Sequence, residues 1–236
     1  MLKTCPKLIL IHRYAARVDT QDRYKLYFYS LEDNNNTLIR ALKLVDWDYS
    51  WKIYACHSKH WAAFCEVQEK HSIELQWKTI TETRYMSKEQ ALLINIELPA
   101  GVRLGTVSAE HVPTINKIWP HMTIGTEFAI KRLILWNESV ALFDESSNEL
   151  LAWCLQLMTG AHGVLQVPIE HSRKGYGTII AKAMAKKLAK MGHNSYAYVT
   201  DTNEPSRALF DKIGFQNVGT MCWARTVPRK LVEWDH

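Results

Sequence analysis

Residues 164–215 constrain this chain of 236 residues more than any other stretch. They open with an apolar run, Val164-Leu165-Gln166-Val167-Pro168, that reads as a strand. A basic glycine turn follows, Ser172-Arg173-Lys174-Gly175-Tyr176-Gly177-Thr178. Ile179, Ile180, Ala183, Met184, Leu188 and Met191 then recur at helical spacing, and Gly192 closes the helix as a C-cap. Tyr196-Ala197-Tyr198-Val199 is a second strand, and Pro205 opens a last helix that runs to Ile213. Strand, glycine turn and helix make an anion site. N–H groups of the turn point inward, and the helix dipole adds partial positive charge. Glycine lets the backbone approach a phosphate with no Cβ in the way. The turn is not a dinucleotide fingerprint, because Ile180 stands where a third glycine is needed, nor a P-loop, because Gly-Lys-Ser/Thr is missing.

Charge is placed to suit such a ligand. Residues 171–200 contain no Asp or Glu but hold Arg173, Lys174, Lys182, Lys186, Lys187 and Lys190. A cationic field beside the turn favours a polyphosphate. Lys186 and Lys190 read as part of a solvated helix face. The net charge of +5 does not separate an anionic small molecule from a nucleic acid. An apolar fraction of 47% and a charged fraction of 22% are those of a globular domain, and no apolar run is long enough to cross a bilayer.

The five cysteines are odd in number, widely spaced and lack Cys-x-x-Cys, so they read as reduced thiols inside the cell. Cys56, His57, His60, Cys65 and His71 fit no common zinc spacing, and no metal is expected. A cytoplasmic location is expected, with a mitochondrial one as the alternative. Residues 1–18 carry Lys3, Lys7, Arg13 and Arg17 without an acid, faintly like a transit peptide, although Leu8-Ile9-Leu10-Ile11 reads equally well as a strand.

Two halves are expected, 1–98 and 99–236, divided at the Pro/Gly punctuation of Leu98-Pro99-Ala100-Gly101. In the first, strands at 24–29, 51–55 and 72–78 alternate with helices near 38–45 and 61–69, a β-α-β-α-β order. The second predicts strands at 102–107, 139–143, 150–158 and 163–167, helices at 111–119 and 127–136, and a final strand at 220–226. The fold class is α/β with a mixed sheet.

The ordered set of strand, basic turn, helix, strand, Asn203 and Lys212-Ile213-Gly214-Phe215 resembles the acyl-CoA-binding core of the GNAT acyltransferase superfamily. Leu44-Val45-Asp46-Trp47, Trp119-Pro120-His121, Leu151-Ala152-Trp153-Cys154-Leu155 and Pro205-Ser206-Arg207-Ala208-Leu209-Phe210 extend the likeness to the glycine N-acyltransferase-like branch, in its insect form. That resemblance implies a GNAT fold with a degenerate GNAT-like N-terminal half. It also implies transfer of an acyl group from acetyl-CoA or another acyl-CoA to a small amine or amino acid such as glycine. Neither nucleic acid nor membrane is an expected partner. Arg173, Lys174, Gly175, Tyr176, Gly177 and Thr178 would cradle the pyrophosphate. Gln166 and Val167 would bond the pantetheine arm through the backbone, and Asn203 and Phe210 would face it. Catalytically weak acyl-CoA binding, as a sensor or scaffold, and protein lysine acetylation are the competing readings.

Three family positions depart from the pattern, the first being Ser172, which stands where many GNAT turns carry Arg or Gln. Phe210 stands where many members carry a thiolate-protonating Tyr, and Ala161 where the vertebrate enzymes carry a Glu base. The chemistry still needs proton transfer, since an amine is mostly protonated near neutrality. His121, after the first helix of the second half, is the candidate base, and Ser206 the candidate acid. Glu170 and His171 lie beside the turn and read as structural. Strand alternation puts Ala161, Gly163 and Leu165 on one face and His162 with Gln166 on the other.

Overall fold

The computed structural model describes residues 24–123 and 125–230. The transit-like segment, the 8–11 strand and Cys5 lie outside them. Nine strands and seven α-helices follow in chain order among the described residues: β1 (Tyr24–Leu26), α1 (Asn36–Leu42), β2 (Trp51–His57), α2 (Trp61–Lys70), β3 (Leu75–Met86), α3 (Lys88–Leu92), β4 (Val102–Gly105), α4 (Val112–Ile118) and α5 (Thr126–Trp136), then β5 (Ser139–Asp144), β6 (Leu150–Gln156), β7 (His162–Gln166), α6 (Tyr176–Lys190), β8 (Ser195–Thr200), α7 (Glu204–Ile213) and β9 (Gln216–Thr226). Both α-helices and a mixed set of parallel and antiparallel strands are present, as the α/β reading requires.

The chain divides into two units, one of residues up to Thr81 together with those from Gly219, the other Glu82–Val218. In the first, the strand order is β1-β2-β9-β3. β1 runs parallel to β2, and β2 antiparallel to β9. Period-two alternation turns Tyr24, Leu26, Trp51 and Ile53 inward, where Leu38, Leu42, Phe64 and Val67 of α1 and α2 cover them. Trp47 joins this core and donates from Nε1 to the Leu42 carbonyl at 2.9 Å.

In the second unit the order is β3-β8-β7-β6-β5-β4. β4 to β7 are antiparallel neighbours, joined at β5–β6 by a hairpin that Asp144 closes. Asp144 Oδ1 accepts from the backbone N–H of Ser146 and of Ser147, both at 2.9 Å. The sheet carries helices on both faces. Ala152 and Cys154 of β6 pack against Ile180, Met184 and Leu188 of α6, while Trp153 and Leu155 point the other way, onto Ile115, Ile130 and Leu133 of α4 and α5. Leu98, Pro99, Ala100 and Gly101 lie within this unit.

Helix ends follow local chemistry. Gly192 takes φ 86° and its N–H reaches the Ala189 carbonyl at 2.9 Å, as a helix-terminating glycine should. α3 had no counterpart in the periodicity, being only one turn and a half. Its signal is the capping box Ser87-Lys88-Glu89-Gln90, in which the Ser87 and Gln90 side chains bond each other's backbone N–H.

Candidate functional site

β7, α6 and α7 converge on one region. β7 is parallel to β8 but in register with it at a single pair among the described residues, His162↔Ala197, at the start of β7. Past that pair no further register pairing links the two strands among the described residues. On its other side β7 bulges: Gly163 faces Leu155 while Gln166 faces Trp153, so β7 uses one more residue than β6 over that span. Val164 sits in the bulge with φ 48°, a left-handed conformation costly for a β-branched residue.

The bulge overturns the simple alternation expected for this strand. His162 lies with α6 and α7, its ring edge-on to Phe210 at 6.0 Å and to Phe215 at 5.6 Å. Gln166 lies on the opposite face, donating from Nε2 to the Ile118 carbonyl at the end of α4 at 2.8 Å. The inserted residue shifts the phase by one, so the two side chains do not share a face.

After Gln166 the chain passes Val167 and Pro168, makes a single 3-10 turn at Ile169–His171, and enters the basic turn. His171 is fixed there through its Nε2 contact with Glu149 Oε1 at 2.9 Å. Arg173 takes φ 60° and Gly175 φ 81°. Gly175 is the N-cap of α6; no side chain caps this end and the first turn holds no acid. The N–H groups of Tyr176 and Gly177 therefore have no intrahelical acceptor, while that of Thr178 reaches the Gly175 carbonyl at 3.1 Å, and the dipole's positive end is uncompensated. Arg173, Lys174 and Gly175 are exposed, Gly177 and Thr178 half-buried. Tyr176 is buried against the sheet, so its contribution to a ligand is its backbone N–H. Gly177 packs under α7: an added Cβ would lie 3.1 Å from Leu209 Cδ1 and 3.6 Å from Val167 Cγ2.

The cationic field is narrower than the sequence suggests. Lys186, read as solvated, donates to the Ile94 carbonyl at 2.7 Å, and Lys182 to that of Asn95 at 3.4 Å. Lys187 pairs with Glu138 at 2.6 Å and donates to the Ser139 carbonyl at 2.9 Å. These ammonium groups pin neighbouring segments to α6, which leaves Arg173 and Lys174 as the cations of the turn itself.

α7 supplies the other wall. Asn203 is its N-cap, Oδ1 accepting from the Ser206 N–H at 3.1 Å. Ser206 is half-buried. Phe210, at 5% exposure, belongs to the core with Phe215, Ala181 and Ala185. A network centred on the buried Arg84 holds the helix: Arg84 of β3 pairs with both Glu82 and Asp211, and Arg207 lies 3.5 Å from Glu82. His121 stands apart from the turn, exposed in the connection after α4, with its ring edge-on to Trp119 at 5.9 Å. His162 is buried with neither ring nitrogen hydrogen-bonded among the described residues, and burial pulls its pKa down to about 3. Trp153 is buried, whereas Trp136 is exposed. Tyr198, on β8, is a further hydroxyl that sequence reasoning treated only as strand; burial pushes its pKa up. Among the described residues, no group of three or more His, Cys, Asp or Glu is placed to hold a metal ion, and no helix is long and apolar enough to cross a membrane.

A model of the FR47-like protein family matches residues 139–224, which take in β5 to β9 with the turn and α7. The chain is similar to a solved Drosophila melanogaster protein, with 23% identity and a TM-score of 0.77 over 87% of this chain and 71% of that one. A tandem GNAT protein from the clavulanic acid biosynthesis pathway gives 11% identity and a TM-score of 0.56 over 89% and 76%. A GCN5-related N-acetyltransferase from Kribbella flavida gives 13% and 0.55 over 84% and 80%. The fold is that of the GNAT acetyltransferases.

Proposed function

We propose that the chain is an acyl-CoA-dependent N-acyltransferase that passes an acetyl or related acyl group to a small amine or amino acid such as glycine. The observation that carries this reading is the uncapped, acid-free start of α6 after β7, which is in register with β8 at a single pair among the described residues. Pyrophosphate would sit against the N–H groups of residues 173–178, with Arg173 and Lys174 beside it. The pantetheine arm would run between the strands, bonding the backbone at Gln166 and Val167 and passing Asn203. GNAT neighbours that are themselves acetyltransferases support the same class. In this reading residues 1–98 are a degenerate copy of the fold, 99–236 carry the acyl-CoA site, and the protein works in the cytoplasm.

Transfer would be direct. The amine nitrogen attacks the thioester carbonyl, the C–S bond breaks, His121 takes the ammonium proton, and Ser206 gives a proton to the thiolate before regaining one from solvent. Holding amine and thioester together supplies much of the acceleration. The test is a thiol-release screen of acyl-CoAs against amines with purified protein, alongside calorimetry of acyl-CoA binding. Absence of thiol release with every amine tested, together with tight binding, replaces this reading with a second one, a non-catalytic acyl-CoA sensor. Phe210 and Ala161, both buried and lacking a proton to transfer, favour that second reading. Release that requires a lysine-bearing peptide would point to protein acetylation.

A further inference from the structure

Trp153 and Gln166 face each other across β6 and β7 as a register pair. Their side chains share a face. Trp153 lies in the cluster under α4 and α5, and Gln166 reaches the end of α4 through its bond to the Ile118 carbonyl. That bond fixes the amide: Nε2 must be the donor, so the remaining atom is the oxygen. Both leftover atoms, the Trp153 Nε1–H donor and the Gln166 Oε1 acceptor, are buried without a hydrogen-bond partner among the described residues. Unpaired buried polar groups are costly and ask for an explanation. Here one donor and one acceptor are left over on directly opposed residues. Gln166 is also the residue next to Val167, where the arm carrying the thioester would run.

We propose that Trp153 Nε1–H and Gln166 Oε1 form a two-point polar subsite for the acyl acceptor, selecting amines that carry an oxygen on the neighbouring carbon. It rests on the acyltransferase reading above. The amine N–H donates to Gln166 Oε1, which leaves the nitrogen lone pair free for the thioester carbon. The acceptor's oxygen receives the Trp153 N–H. An alkylamine of the same size leaves that indole N–H unpaired, and a site built around a hydrogen bond rejects an analogue lacking it far better than an apolar pocket rejects a methylene. Ile118 is 38% exposed and Gln166 is half-buried, so an acceptor approaches the pair from the side of the α4 end.

The experiment compares ethanolamine with propylamine, at saturating acetyl-CoA, in the thiol-release assay on the full chain. With rates referred to the concentration of neutral amine, ethanolamine is expected to lead in kcat/KM by about tenfold or more. Trp153→Phe should reduce that preference to near unity with propylamine turnover kept. Gln166→Leu should slow both acceptors, and Gln166→Glu, which keeps an acceptor oxygen, should recover part of the rate. If Trp153→Phe does not fold, the wild-type Trp153 indole N–H resonance gives the answer, since it should move with ethanolamine and stay with propylamine. Equal use of the two amines, or a preference that survives Trp153→Phe, overturns the subsite and leaves the pair holding a water. Other amines acylated but neither of these two overturns it as well. Absence of thiol release with any amine removes the acyltransferase reading, and the subsite with it.

Discussion

Leu209 Cδ1 lies 3.1 Å from the point where a Cβ on Gly177 would stand. α7 is therefore seated on the first turn of α6 at the one position where that turn has no side chain. Gly177→Ala should still fold, with Leu209 giving way by a few tenths of an ångström and Tm falling by about 2–4 °C. Gly177→Glu combines that collision with a carboxylate where phosphate charge would sit, so its loss of acyl-CoA binding alone proves little. Removing the collision separates the two effects. Folded Gly177→Glu/Leu209→Ala should bind acyl-CoA at least about tenfold more weakly than Leu209→Ala, because a charge-assisted contact is replaced by repulsion. Equal calorimetric affinities would move the phosphate site elsewhere.

Arg173 combines exposure with φ 60°. A left-handed backbone costs a non-glycine residue about 1 kcal/mol. Arg173→Gly should accordingly melt a few degrees above Arg173→Ala. Both should weaken acyl-CoA binding to a similar degree, about three- to tenfold, and both should flatten its dependence on salt. Thermal melts and calorimetry at low and high salt check the pair of expectations. A stabilised Arg173→Gly that binds as tightly as wild type would show the strain to be unrelated to the ligand.

The elements around this turn were legible in the sequence because each obeys its own local rule. α6 follows 3.6-residue spacing from Ile179 to Leu188 and stops at Gly192, and α7 has Asn203 before it and Gly214, at φ 100°, after it. The bulge was not legible. Nothing about Val164 advertises a positive φ, and the mismatch with β6 arises only when the strands pair. Because of it, alternation put Gln166 on the face of His162, when the amide in fact meets α4. The lysines of α6 misled for a related reason: charge is visible in a sequence, but the carbonyls of Ile94 and Asn95 that engage Lys186 and Lys182 are not. The Trp153–Gln166 pair was hidden in the same way, since only strand register brings residues thirteen apart face to face.

Two buried histidines should make stability fall in mild acid. His60 Nε2 accepts from the Ser30 N–H at 3.1 Å, so the proton sits on Nδ1, 2.6 Å from Asn35 Oδ1. A second proton would have to displace the Ser30 bond. Burial, aided by the Lys59 cation, holds the His60 pKa near 4, and burial alone holds that of His162 near 3. Both folded-state values lie below the unfolded value of about 6.5. The unfolded chain therefore binds these protons first. The stabilising effect of the neutral rings is complete above that pH and is lost as pH falls towards 4 and then 3. Tm measured from pH 7 to 4.5 should drop less for His162→Phe and for His60→Gln than for wild type, and least for the double variant. Parallel curves for all four proteins would show that other groups govern the acid transition.

Proton transfer is the step for which the proposed reaction has the fewest candidate side chains. Phe210 is buried against His162 and Phe215, so α7 offers no hydroxyl at that position. Ser206 is one helical turn earlier on the same face of α7, with its N–H held by Asn203, and in the proposed reaction its hydroxyl would serve the thiolate. His121, exposed beside Trp119, keeps the access to solvent that a base exchanging protons with water needs. His121→Ala should lower kcat/KM most at low pH, where few amines are already neutral, and least near pH 9. Ser206→Ala should lower kcat about tenfold or more with acyl-CoA affinity nearly kept, because the lost proton donor acts only as the C–S bond breaks. The two losses should differ in pH dependence, since one concerns the amine and the other the thiolate. Steady-state thiol release from pH 6 to 9 on both single variants decides the matter. Full activity in both across that range would remove these two side chains from the mechanism and leave proton transfer to Tyr198 or to solvent.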